Sequence, residues 1–230
     1  MREFSATVNG SIYRIVATSL LATSLMMATA LPLIDLVYRR GHFLFHDSQE
    51  TATYFFWFSL SLAFWSAQSL YSRAFYAAGN TLAPMIASTL ITVATIPVYS
   101  VLFHSFSTVG LAIASDVGIV ANTLALAILL HRRSLVPAGD LQWGEVGKAA
   151  LTAAVAGFLG YEVSRSVVVN DSRAADLKSL ALTTITWAAA VAVGLWITGS
   201  RLPKELRRRS AQTYPRVAEA GGELSGGIEP

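Results

Sequence analysis

The composition indicates the class of protein before any motif is considered. The chain has 230 residues, of which 53% are apolar and 13% are charged, whereas about 25% of the residues of a typical soluble domain are charged. With a mean hydropathy of +0.51, it has too few charged side chains to cover a water-soluble fold, so we expect an integral membrane protein. Cysteine is absent, which excludes disulfides, thiolate metal sites and cysteine nucleophiles.

The basic residues point to lipid rather than to nucleic acid. The formal net charge is +3 and the pI is about 9.3. The Lys and Arg residues stand at the ends of apolar runs and in the C-terminal tail instead of clustering into a phosphate-binding face. We therefore expect membrane lipids with anionic headgroups as their partners, and no nucleic acid.

Six apolar runs are each long enough to cross a membrane as a helix, which takes about 20 residues. The runs are continuous rather than alternating, which favours helices over membrane strands. Lipid offers the backbone no hydrogen-bond partner, so the predicted fold is an all-α, polytopic membrane bundle of about six transmembrane helices. In chain order the predicted spans are residues 15–36, 52–71, 83–103, 110–130, 149–169 and 179–199.

Two of these spans have further features. The first contains a small-x-small pattern at residues 28–30 after two arginines, so a cleaved signal peptide is the alternative, although the apolar run continues to Leu36. The fifth contains Glu162 and Arg165, whose three-residue spacing predicts an ion pair on one helix face. Its many small residues favour close helix packing.

The spans predict three segments and an orientation. Residues 1–135 form a four-helix membrane segment, residues 136–200 add two transmembrane helices, and residues 201–230 form a basic and then Gly- and Glu-rich tail with too little apolar surface to fold. Alternate connections place 12 Lys and Arg residues on one side of the membrane and 5 on the other. The positive-inside rule then predicts that both termini are cytoplasmic.

Polar residues inside or beside the spans are the candidates for lining a cavity or a gate, because an ionised side chain facing lipid costs about 2.5 to 3.5 kcal/mol on insertion scales. Asp116 lies roughly 9 Å inside the fourth span and is predicted to line a cavity or to hydrogen-bond a neighbouring helix. Asn122 follows it on a different part of that helix. Arg73, just past the second span, either snorkels to headgroups or contacts an anionic substrate. With Asn80 in the next connection, these are the candidate cavity or gate residues.

No pattern of residues predicts catalysis. The chain has no phosphate-binding glycine loop, zinc-spaced histidine pair or nucleophile elbow. His42 and His46 have a four-residue spacing but no third ligand nearby, so we interpret them as loop residues. We expect no catalytic residue, metal or cofactor, and a protein that is not an enzyme.

Three segments resemble a known family. The segment RAFYAAGNTLAP, residues 73–84, resembles the MurJ/MviN lipid II flippases, within the group of multidrug, oligosaccharidyl-lipid and polysaccharide exporters. The segments YRRGHF, residues 38–43, and GLAIASDVGIVANTLAL, residues 110–126, look like a loop and a helix start of that family, in the same order. The resemblance covers about residues 1–135. It rests on the order of the three segments along the chain as much as on each motif.

The resemblance implies a fourteen-helix fold, with two six-helix lobes around a central cavity and a final helix pair that forms a groove for a lipid tail. The six spans here look like the last six helices. The family's arginine-rich cavity residues, on the first eight helices, have no counterpart in this sequence. The resemblance therefore implies a C-terminal part of a flippase, which we expect to be inactive alone.

The implied function is the transfer of a lipid-linked oligosaccharide, the lipid II-type precursor of peptidoglycan, across the bacterial inner membrane. The implied partners are membrane lipids, the lipid-linked peptidoglycan precursor and a separate chain that supplies the missing helices. The alternative is a non-transporting membrane subunit or regulator that packs through small-residue helix faces.

Overall fold

The computed structural model describes residues 2–132, 142–167 and 173–205, which form seven helices and no strand. The all-α membrane fold predicted from the sequence is thus confirmed. Part of the predicted C-terminal tail, residues 206–230, lies outside the described residues. The helices are α1 (Arg2–Ala28), α2 (Ala30–Tyr38), α3 (Phe45–Leu60), α4 (Leu62–Ala77), α5 (Leu82–Arg132), α6 (Trp143–Ser166) and α7 (Arg173–Ile197).

The first predicted span is built from two helices. Proline has no N–H, and its ring crowds the carbonyl four residues earlier. Pro32 therefore disrupts the helix at Ala28, where α1 ends, and α2 begins at Ala30. Helix α1 also starts well before the predicted span, because hydropathy detects only the apolar part of a helix.

The second predicted span also contains a break, at Ser61 between α3 and α4. The hydroxyl of Ser59 donates to the carbonyl of Phe55 at 2.7 Å, and that of Ser61 donates to the carbonyl of Phe58 at 3.0 Å. Such bonds back to the preceding turn bend helices.

The third and fourth predicted spans are the two halves of α5, which reverses direction at Ser107 (φ 53°, ψ −135°). We call these halves α5a (residues 82–106) and α5b (residues 108–132). The reversal requires Gly110, since a Cβ there would overlap the carbonyl oxygen of Leu102. A hydrogen bond of 2.6 Å between the hydroxyls of Tyr54 and Thr108 ties the reversal to α3.

The two motif loops turn at glycines. Gly41 in YRRGHF has φ +60°, and Gly79 in RAFYAAGNTLAP has φ +73°. Only glycine adopts such angles without a steric cost. Each motif therefore marks a connection, the first between α2 and α3 and the second between α4 and α5.

Helix α1 lies between the two parts of the bundle, packing against α4 on one side and α6 on another. The α1–α6 contact is close because α6 presents glycines: a Cβ on Gly157 would lie 3.0 Å from Cβ of Ser24, and one on Gly160 would lie 3.0 Å from Cβ of Ala28. The indole N–H of Trp187 on α7 donates to the hydroxyl of Ser24 at 2.9 Å. The small residues of the fifth predicted span therefore pack against α1 of the same chain.

An ionic cluster joins α2 to α7. The guanidinium of Arg39 lies 3.3 Å from a carboxylate oxygen of Asp35 and 3.7 Å from one of Asp176. The side chains of Asp35 and Asp176 are 0% and 1% exposed, and that of Arg39 is 16% exposed. This cluster holds the start of the last helix against the end of the first span.

A second polar contact holds the other end of α7. The carboxylate of Glu145 accepts hydrogen bonds from Lys148 Nζ at 2.8 Å, from the backbone N–H of Arg201 at 3.0 Å and from the hydroxyl of Ser200 at 3.2 Å. These donors, Lys148 first, hold the pKa of Glu145 below its ordinary value. Leu202, 1% exposed, packs into a core cluster with residues of α1 and α6. Residues 201–205, which the sequence assigned to the tail, thus lie against the bundle.

Candidate functional site

A polar cavity lies among α4, α5a and α5b. Its volume is about 390 Å³. Six of its ten lining residues are polar: Gln68, Thr92, Thr95, Tyr99, Ser115 and Asn122. Polar groups inside a membrane bundle are costly and mark aqueous or substrate-contacting surfaces, so this cavity is the candidate wall of a transport path.

Asn122 is the predicted candidate that the structure places in this cavity. Its side chain is largely buried, and the hydroxyl of Ser88 on α5a lies 3.2 Å from both its amide oxygen and its amide nitrogen. The next residue, Thr123, donates its hydroxyl to the carbonyl of Phe64 on α4 at 3.0 Å. The cavity wall is therefore fixed by bonds between helices as well as by packing.

Asp116 lies inside the protein but outside this cavity. It is 7% exposed, and neither of its carboxylate oxygens has a hydrogen-bond partner among the described residues. The carboxyl therefore faces protein rather than lipid. Ser115, the preceding residue, is the one that lines the cavity.

Arg73 and Asn80 occupy the same end of α4. Arg73 is exposed and lines a shallow cleft of about 340 Å³, in which Ser66 and Ser69 stand on the same face of α4. No carboxylate of the described residues lies within 4 Å of its guanidinium, which is free to meet an anion. The side-chain oxygen of Asn80 accepts the backbone N–H of Ala83 at 3.0 Å, so its carboxamide caps the start of α5.

An apolar groove, which the sequence did not predict, lies among α1, α3 and α6. It consists of two cavities, of about 510 and 350 Å³, that share Met27, Ala28, Phe56 and Tyr161. The larger one has no charged residue in its lining. The smaller one ends at Arg165, Gln49 and Thr53. The resemblance implied a groove at the final helix pair, and this groove involves only α6 of that pair.

The predicted ion pair between Glu162 and Arg165 is wrong. Over the described ranges the structure contains no ion pair between them, and the guanidinium carbon of Arg165 instead lies 5.8 Å from the ring centroid of Tyr161. A residue four positions earlier lies on the same helix face, and the tyrosine face attracts the cation. The four-residue spacing of Tyr161 and Arg165 in the sequence could have predicted this cation–π contact.

The comparisons with known proteins agree with this fold. The family model described as "Lipid II flippase MurJ" matches residues 1–198. The chain belongs to the lipid II flippase MurJ family. A relative described as a probable lipid II flippase MurJ, from Synechocystis sp., is 26% identical over 199 residues, which are 81% of this chain and 37% of the relative. The family predicted from the three motifs is confirmed.

A solved structure shares the fold. It is described as the lipid II flippase MurJ in an inward closed conformation, and the match has a TM-score of 0.66 at 19% identity. The match covers 84% of this chain and 40% of that structure. The chain thus spans less than half the length of these two proteins.

Proposed function

We propose that this chain forms part of a transporter that moves a lipid-linked oligosaccharide, of the lipid II type, across the bacterial inner membrane. One observation carries the proposal. The chain has a polar cavity on α4 and α5 and an apolar groove on α1, α3 and α6. An amphiphile with a polar headgroup and a long hydrocarbon tail needs both surfaces.

The cost of desolvation explains why the polar cavity suits the headgroup and the apolar groove suits the hydrocarbon tail. Moving a headgroup through hydrocarbon without replacing its hydrogen bonds to water costs several kcal/mol per polar group. The amide of Asn122 and the hydroxyls beside it replace some of those bonds, while the tail stays in an apolar setting. Arg73 offers a positive charge to the anionic part of the lipid at the end of α4. Asp116 would repel a pyrophosphate and lies outside the cavity, so we do not assign it to the headgroup.

Six spans do not provide the two moving lobes that alternating access requires in transporters built from repeats. We therefore propose that this unit acts together with further helices and does not translocate lipid alone. The helices of the family that the resemblance places before these six are the candidate partner, in the same or a separate chain.

Proteoliposomes test this proposal. The purified 230-residue chain should not translocate a labelled lipid-linked precursor, and co-reconstitution with the eight preceding helices of a full-length relative should restore transport. Translocation by the chain alone would refute the need for a second lobe. Failure in both preparations would refute the transport role and leave the non-transporting subunit as the function.

A matched pair of variants tests the polar cavity in the reconstituted transporter. Thr92→Phe fills the cavity, whereas Thr89→Phe places the same ring on an exposed part of α5a outside it. We expect transport to fall at least tenfold in the first variant and to change little in the second. Equal transport by both would show that the cavity is not on the path.

A further inference from the structure

Helices α2 and α3 form a unit within the bundle, which we call the outer hairpin (residues 30–60). The loop that contains the motif YRRGHF joins the two helices. A core cluster made of hairpin residues only holds them together, and it consists of Ala30, Ile34 and Ala52 with Leu31, Phe55 and Phe56 packed against them. The hairpin therefore keeps its own packing when it moves relative to the other helices.

The outer hairpin is connected to the rest of the chain at two helix breaks. One residue lies at each break, Thr29 between α1 and α2 and Ser61 between α3 and α4. Their ψ angles are 4° and −8°, whereas the ψ angle of a helical residue is about −42°. Because α2 begins and α3 ends at these residues, both lie at the same end of the hairpin. Hinges are formed by a few such residues at the ends of helices.

Polar contacts on two sides hold the hairpin against its neighbours. The guanidinium of Arg39 lies 3.7 Å from a carboxylate oxygen of Asp176 on α7, and the hydroxyl of Tyr54 lies 2.6 Å from that of Thr108 on α5b. Arg39 also lies 3.3 Å from Asp35, which belongs to the hairpin itself. The arginine therefore keeps a carboxylate partner when the hairpin separates from α7, which lowers the cost of breaking the contact.

A cavity of about 350 Å³ lies on another side of the hairpin. It separates Gln49, Thr53 and Phe56 of α3 from Tyr161 and Arg165 of α6. Side chains that line a void lack the dispersion contacts that close packing would give them. The hairpin is therefore held less firmly on this side, and its movement changes the width of the cavity without moving α6.

A buried carboxyl lies beside the second break. Hydrogen bonds join α5b to α3 through Thr108 and to α4 through Thr123. Asp116 lies about midway between these two threonines along α5b, at the level of the break at Ser61. It is 7% exposed, and neither of its carboxylate oxygens has a hydrogen-bond partner among the described residues. A buried polar group without a partner is costly, so an arrangement that admits water to Asp116 removes this cost.

We propose that the outer hairpin is a gate that turns as one body about Thr29 and Ser61. The contacts of Arg39 with Asp176 and of Tyr54 with Thr108 hold it closed. Opening widens the cavity beside α6, at the end of the bundle that the charge count predicts to face outward. The gate is inferred from the packing of this chain and does not depend on the proposed function.

Distances between spin labels in the purified full chain test the gate. The chain has no cysteine, so pairs of introduced cysteines at exposed positions carry the labels. Glu50→Cys with Leu177→Cys measures the distance from the hairpin to α7, and Val37→Cys with Glu50→Cys measures a distance inside the hairpin. The measurement contains no transport step, so a failure of the proposed function does not affect it.

Removal of the closing contacts should open the gate. Asp176→Asn and Tyr54→Phe should each raise the ratio of open to closed chains about fivefold, and the double variant about 25-fold, because a hydrogen bond typically contributes a factor of this size. Tyr38→Phe removes an exposed hydroxyl of the same hairpin and should leave the ratio unchanged. The distance inside the hairpin should be the same in every variant.

Two substitutions in the double variant test the hinge and the buried carboxyl. Pro32→Ala permits a more continuous helix across Thr29, and Asp116→Leu removes the carboxyl, so both should lower the open fraction. Undiminished opening in either one would overturn the part assigned to that residue. An unchanged distance from the hairpin to α7 in the double variant would overturn the gate. If the distance inside the hairpin broadens as well, the hairpin unfolds locally, which would overturn its turning as one body.

Discussion

Replacing Arg39 with Gln should weaken the structure more than any other single neutralisation in the contact between α2 and α7. The guanidinium lies near two carboxylates that are at most 1% exposed. Removing it leaves both carboxylates buried without this cation, which costs about 3 to 5 kcal/mol. Asp176→Asn instead removes one of the two negative charges and leaves the pair of Arg39 with Asp35, so its cost is about 1 kcal/mol.

Heating the purified chain in detergent and following the fraction that remains monodisperse on size exclusion measures the difference. Arg39→Gln should lower the midpoint by roughly 10 °C, and Asp176→Asn by a few degrees. Arg40→Gln, at an exposed neighbouring arginine, is the control and should behave like wild type. Equal losses in Arg39→Gln and Arg40→Gln, or in Arg39→Gln and Asp176→Asn, would refute the shared-arginine reasoning.

Three other predictions follow from features described above. Gly110→Ala should abolish folded protein in the membrane, because its Cβ overlaps a carbonyl, whereas Gly144→Ala, where nothing lies within 4 Å, should be tolerated; equal abundance would contradict the tight reversal in α5. The lowered pKa of Glu145 stabilises the fold above about pH 4.5 and loses this contribution as the pH falls further. Glu145→Gln should therefore reduce the loss of thermal stability that the wild-type chain shows as the pH falls below about 4.5. An unchanged loss would contradict a stabilising role for the contacts of Glu145 with Lys148, Ser200 and Arg201. For the predicted orientation, His46→Cys should react with an impermeant thiol reagent in intact cells and Ser210→Cys should not; the reverse pattern would invert the topology.

Hydropathy was enough to predict an all-α membrane bundle, since the cost of placing polar groups in lipid acts on every residue of a span. It did not predict where helices break. The interruption after Ala28 depends on Pro32, and the one at Ser61 depends on serine hydroxyls that bond back to the preceding turn. Both act on the backbone within spans that remain apolar, so the six runs appear continuous in the sequence.

The candidate site was predicted only in part for a similar reason. Asn122 and Asp116 are conspicuous in the sequence because polar residues are rare in spans, and the structure buries both. The apolar groove has no such signal, since its lining residues are ordinary for a membrane helix and become a groove only when α1, α3 and α6 pack. Arg165 was assigned to a carboxylate by spacing alone, although Tyr161 on the same face was the better partner.

The hydrogen bond between Ser24 and Trp187 joins residues 163 positions apart, which has a consequence for biogenesis. A ribosome adding about 5 to 20 residues per second needs roughly 8 to 30 s to synthesise the intervening chain. During that interval α1 lies in the bilayer without α6 and α7, which later cover its small and polar face. Assembly of this bundle is therefore completed only after α7 has emerged, and α1 acquires the last of its native neighbours long after its own synthesis.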